Sequence, residues 1–221
     1  MAIAEKRRRF CAYCGLTANT GDHVVPRALY PPSLAQSRVQ RIVVHACRPC
    51  NASWQDDEAH FRNMLMLCGP ANAITHEVWS GATIRSFDQV DGLRRLRDLS
   101  AQMVAVSTPE GERHKVYPEH DERFMRVLRK VIRGLSHHHQ VGSGPILDGQ
   151  VSAFVLRDEV PQEVLTAMTY AHADESVLRY FFSSAHPDFH SGWFLEFYGR
   201  ASFMGLVYQS IEAREQAYAA A

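Results

Sequence analysis

An α+β fold is what the sequence predicts, on three observations. Two Cys-x-x-Cys pairs, Cys11/Cys14 and Cys47/Cys50, bracket a turn-rich segment with short β-type runs. An i, i+3, i+4 apolar stripe through Phe124, Val127, Leu128, Val131, Ile132 and Leu135 marks an amphipathic helix. Strand-like runs over 177–182, 193–198 and 202–208 fill the C-terminal third. Together they give a thiol-stapled N-terminal module of strands and a helix, a helical middle and a small C-terminal antiparallel sheet. The boundary falls near residue 70, dividing the chain into 1–70 and an accessory region, 71–221, packed on it.

The elements follow in order. Residues 41–45 (Arg-Ile-Val-Val-His) form a strand that delivers the chain into Cys47. Residues 52–68 read as a helix, with Phe61, Leu65 and Cys68 at helical spacing and Gly69-Pro70 as the stop. Cys68 is expected as a small buried hydrophobe. Residues 71–118 read as mostly helix with irregular joins, including 88–106. The helix over 121–135 is the clearest, and His137-His138-His139 after it reads as an exposed loop. Pro161 opens a short helix to about Ala171. Gly199-Arg200 marks a hairpin turn between the last two strands. Trp193, Leu195 and Phe197, alternating along one strand, are expected to cover the middle helices. The tail beyond Ile211 is Ala- and Glu-rich and reads as helix.

Length and composition narrow the class. The chain has 221 residues, 46% apolar and 22% charged, ordinary for a globular protein able to bury its own core. No run of 18 apolar residues is present, and Met1–Arg9 lacks the apolar stretch of an export signal, so a cytoplasmic location without membrane association is expected. The net charge is zero, so bulk electrostatics do not point to nucleic acid. All but three of the 24 basic residues are arginine, however, and arginine grips phosphate with a two-pronged fork. Arg7, Arg8 and Arg9, just before the first cysteine, are candidates for a phosphate-contacting arm, with Arg41 a further candidate. A solvated tail is the alternative for the arm.

The cysteines carry the chemistry. In a chain without an export signal, paired Cys-x-x-Cys spacing reads as metal rather than disulfide. Four thiolates suit tetrahedral Zn²⁺ in a closed, structural site, worth of order 10 kcal/mol to folding. The 32 residues between the pairs leave room for a functional insertion. Asp22-His23 lies inside it, between Gly21 and Pro26. A carboxylate is a hard ligand suited to Mg²⁺ or Mn²⁺, and an imidazole can take a proton from water near neutral pH. Neighbours on an extended strand point to opposite faces, so one shared site would require a bent backbone. Asn51, directly after the last cysteine, is either a metal ligand or a helix N-cap.

The pattern Cys-x-x-Cys, Asp-His-x-x-Pro, Cys-x-x-Cys-Asn resembles the zinc-containing HNH endonucleases. The match is specific over residues 11–58 and extends weakly to Arg129–Leu135 with His137-His138 and to the aromatic run at 193–198. The resemblance implies a ββα-metal fold and hydrolysis of phosphodiesters in nucleic acid, with DNA the expected substrate. It implies His23 as general base, and Asp22 and Asn51 as ligands of a catalytic Mg²⁺ or Mn²⁺ ion acting as a Lewis acid. The position that orients the base, an Asn in the family, is Gln40 here, an amide one methylene longer. Asp56 and Asp57 are either supplementary ligands or a negative first turn complementing the helix dipole. His45 and His60 read as structural. Two further functions stay open: a catalytically inactive zinc-stapled module that binds nucleic acid, and an interaction scaffold built on the C-terminal strands. The C-terminal region itself could recognise substrate or form a homodimer.

Overall fold

The computed structural model describes residues 9–34, 41–109, 111–142, 144–184 and 189–220. Its elements run β1 (Thr20–His23), β2 (Val43–Ala46), α1 (Arg48–Ala52), α2 (Gln55–Leu65), α3 (Ala73–Val78), α4 (Ile84–Phe87), α5 (Gly92–Ala101), β3 (Met103–Thr108), β4 (Gly111–Val116), α6 (Glu122–His138), β5 (Val151–Leu156), α7 (Gln162–Thr166), β6 (Thr169–Asp174), β7 (Leu178–Ser183), β8 (Ser191–Phe197), β9 (Ala201–Val207) and α8 (Ile211–Ala219). The class is α+β, as expected. Two small antiparallel pairs, β1-β2 and β3-β4, accompany a five-stranded antiparallel sheet of order β5-β9-β8-β7-β6.

Helix α6 is the hub. Its N-cap is Asp121, whose carboxylate accepts from Phe124 N at 2.9 Å, satisfying one of the helix's unpaired first-turn donors. Every residue of the expected stripe, Phe124 to Leu135, is fully buried. The large sheet lies against this face. Trp193, Leu195 and Phe197 on β8 and Phe203 and Val207 on β9 alternate inward, as period-two packing requires. Phe61 of α2 sits at the junction, 4.4 Å from Phe124 and 5.7 Å from Phe197 between ring centroids, and Phe124 is 5.5 Å from Phe203. Each such ring contributes about 1.5–3 kcal/mol by burial, so these contacts bind α2, α6 and the sheet together. A single apolar core takes residues from both sides of position 70.

The stretch read as helix over 88–106 is helix only to Ala101; β3 and β4 then form an exposed hairpin. The helix opened by Pro161 stops at Thr166, and 169–174 is an edge strand. β5 pairs with β9 and was not foreseen. The histidine run is no loop: His137 and His138 complete α6, and His139 caps it, 2.8 Å from the Tyr180 hydroxyl and 4.5 Å from the Phe182 ring. The foreseen hairpin between β8 and β9 is present. Its turn places Tyr198 at φ +58° and Gly199 at +65°. Left-handed backbone is costly for a bulky residue. Tyr198 is held there by burial and by its hydroxyl donating to Leu29 O at 2.7 Å.

Candidate metal centre and the histidine beside it

Two knuckles build the thiol site. In the first, Gly15 at φ +74° lets the chain fold back so that its N–H reaches Cys11 O at 2.9 Å. In the second, Cys47 lies just before α1 and Cys50 within it. Ala12 N donates to His45 O at 2.8 Å and ties one knuckle to the other. All four Sγ atoms fall within 4.8 Å of one another, and Cys14 and Cys47 are 3.7 Å apart. A tetrahedron with Zn–S bonds of about 2.3 Å has edges of about 3.8 Å, so the donor set fits such an ion. Burial tends to raise the Cys11 thiol, but the N–H groups of Cys47, Tyr13 and Cys14 outweigh it and bring the pKa down to about 7. These four cysteines can hold a metal such as zinc.

Strand β1 runs from this centre to His23. Its partner β2 registers Asp22 against Val44 and His23 against Val43. The backbone is extended, so the two side chains diverge. Asp22 turns inward and is 4% exposed. Its Oδ2 accepts from Tyr13 Oη at 2.5 Å and pairs with Lys130 Nζ at 2.9 Å. Lys130 is fully buried on α6, and its ammonium has three close acceptors: Asp22 Oδ2, Glu58 Oε1 at 2.9 Å and His23 O at 2.7 Å. Burial raises Glu58, while Lys130 draws it down.

The expected Mg²⁺ or Mn²⁺ pair therefore does not fit as it stands. Asp22 is committed to an ammonium, and a divalent ion on the same carboxylate would sit beside a like charge. Asn51 directs its amide N–H groups to Thr20 Oγ1 and Gly21 O, both at 3.2 Å, pinning α1 to β1. It is not the N-cap of α1, which is Cys47. Asp57 is drawn away to Arg123 at 3.0 Å and Arg126 at 2.6 Å, and Asp56 to Arg94 at 3.6 Å. The cysteines are the only group of three or more His, Cys, Asp and Glu ligands among the described residues.

His23 is half-exposed, and its Nδ1 is buried without a hydrogen-bond partner. Burial lowers its pKa below 6.5; Arg27 and Arg41 lower it further, against the pull of Asp22. The shift favours the neutral imidazole, the form a base requires. Arg27 is exposed, and the Arg41 guanidinium lies 4.6 Å above the Tyr30 ring. Gln40, Arg7 and Arg8 lie outside the described residues, while Arg9 is exposed. His60 is structural, as expected: it bonds the cap residue Asp121 at 2.7 Å.

Lys130, Glu58, Tyr13 and Arg27 were missed from the sequence. The one available signal was Lys130 itself, a lysine within an apolar stripe in a chain that otherwise favours arginine. Comparison with family models, curated proteins and solved structures finds no match.

Proposed function

We propose that the protein is a metal-stapled HNH-type endonuclease in which His23 takes a proton from the water that attacks a phosphodiester of nucleic acid, DNA in the first instance. One observation carries this reading: a half-exposed imidazole at the end of a strand braced by the four-cysteine centre, its pKa lowered by burial and then by Arg27 and Arg41. The order β1, β2, α1 agrees with a ββα unit, and zinc is the ion we assign to the thiols. Arg27 and Arg41 supply positive charge for the non-bridging phosphate oxygens as charge accumulates there. Lys130 holds the His23 carbonyl at 2.7 Å, which fixes the backbone from which the base projects. The Mg²⁺ or Mn²⁺ ion implied by the resemblance would require Asp22 to leave Lys130, and no step is assigned to it.

A second reading has its own support. The Lys130–Asp22 pair occupies the carboxylate that the resemblance gives to the ion, which favours a zinc-stapled module that binds nucleic acid without cutting it. End-labelled duplex and single-stranded substrates separate the two. On the first reading wild type shortens at least one substrate, and a metal-replete His23→Ala variant binds without shortening it. Binding without cleavage by both proteins selects the second.

A further inference from the structure

Arg62 is a buried cation without an acid. It is 5% exposed on α2, and its Nε and Nη2 both donate to the neighbouring Asn63 Oδ1, at 3.1 and 2.8 Å. Helices α4 and α5, which pack on each other, bring further arginines to the same region: α5 packs on α2, and α4 continues the helical segment that also packs on α2. Arg85 comes from α4, and Arg95 comes from α5 with its Nη1 donating to Ser86 O at 3.3 Å. Among the described residues none of the three has a carboxylate within ion-pair distance. The acids nearby serve other arginines: Asp56, Asp91 and Asp98 meet Arg94, and Asp57 and Asp98 meet Arg123.

Buried charges are normally paired, because an uncompensated one loses its hydration without replacement. Burial and then Arg95 push the Arg62 pKa down to about 10; Tyr198 opposes this and Arg85 adds to it. No carboxylate is among those influences. The segment that carries Arg85 includes the π-helical turn Trp79–Thr83, which packs on α2; π-turns recur at functional sites. Three forks with no resident anion describe a receptor for an oxyanion.

We propose that Arg62, Arg85 and Arg95 form a phosphate-binding site, with Arg62 at its floor and the more exposed Arg85 and Arg95 at its mouth. The ligand is a phosphate group, either free or carried on a nucleic-acid backbone. The site shares no residue with the His23 chemistry. Tyr198, whose hydroxyl holds Leu29 O, connects it to the turn that follows His23.

The test compares wild type with Arg85→Gln/Arg95→Gln, which leaves the buried residue intact, and with Arg62→Met. Thermal unfolding is followed in inorganic phosphate and in chloride of matched ionic strength, and affinity for a short single-stranded oligodeoxynucleotide is read by fluorescence anisotropy. Phosphate is expected to raise the wild-type melting temperature beyond the chloride control, and both variants to lose that increment. Each arginine removed is expected to weaken phosphate binding about tenfold or more. A response to phosphate alone identifies a free phosphate or small ester as ligand; oligonucleotide binding that phosphate displaces and the variants lack identifies the backbone. Phosphate and chloride acting alike on wild type, or a phosphate response undiminished in both variants, overturns the proposal. His23→Ala keeps the site whichever way its cleavage assay falls, so the two readings fail separately.

Discussion

Lys130 Nζ lies 2.9 Å from Asp22 Oδ2 with both side chains out of solvent, and this pair joins the hub helix to the strand that carries His23. Removing one member strands the other as an uncompensated buried charge, which costs about 3–5 kcal/mol. Lys130→Met is expected to destabilise by that amount in urea denaturation at neutral pH, since it leaves Asp22 and Glu58 facing an apolar side chain. Lys130→Met/Asp22→Asn is expected to cost less than the sum of its parts. Strict additivity would show that the two residues are not coupled.

The four-cysteine centre is expected to hold one metal ion per chain. Cys14→Ser is expected to lose it and to lower the melting temperature steeply, because structural zinc is worth of order 10 kcal/mol. Metal analysis of the purified protein, followed by circular dichroism during chelation, checks both. A chain that keeps its near-ultraviolet signal after complete metal removal would show that the knuckles fold unaided.

His23 provides a pH signature. Its folded pKa lies below the usual 6.5 because of burial and then Arg27 and Arg41. The unfolded chain therefore takes up this proton first as pH falls. Stability from this group is complete above 6.5, declines as pH drops below it, and levels off beneath the folded pKa. NMR titration of the ring is expected to give a midpoint below 6.5, moved upward in Arg41→Gln. A midpoint at or above 6.5 would contradict the neutral-base assignment.

Gly134 sets two effects against each other. Alanine is better than glycine inside a helix by about 1 kcal/mol. A Cβ at Gly134, however, would stand 2.7 and 2.8 Å from the two Val24 methyls and 3.2 Å from Tyr13 Oη. Val24 is β-branched and fully buried, so it has no room to yield. Overpacking of this kind costs about 1–3 kcal/mol. Gly134→Ala is expected to destabilise on balance, read as a lower urea midpoint with unchanged slope.

Local patterns made much of the fold legible. The stripe from Phe124 to Leu135 and the alternation of Trp193, Leu195 and Phe197 are one-dimensional records of which face is buried, and both faces are buried as read. The β3-β4 hairpin escaped because its residues are mostly exposed, leaving no alternation to read. At the site, Cys-x-x-Cys spacing identified the thiol cluster. The partner of Asp22 could not be read, because Lys130 is 108 positions away and only the packing of α6 on the β1-β2 hairpin brings them together. The extended path from Asp22 to His23 was the physical warning that the two would face apart.

We propose His23 as the base of a nuclease, and the roles of Arg27, Arg41 and Lys130 depend on it. Nicking of supercoiled plasmid tests it most directly, comparing wild type with metal-replete His23→Ala across a titration of Mg²⁺ and Mn²⁺. We expect wild type to nick and the variant to lose the activity while its zinc content and melting temperature stay unchanged. Equal nicking by both proteins, or none by wild type on plasmid, single-stranded DNA or RNA under any of these ions, would contradict it.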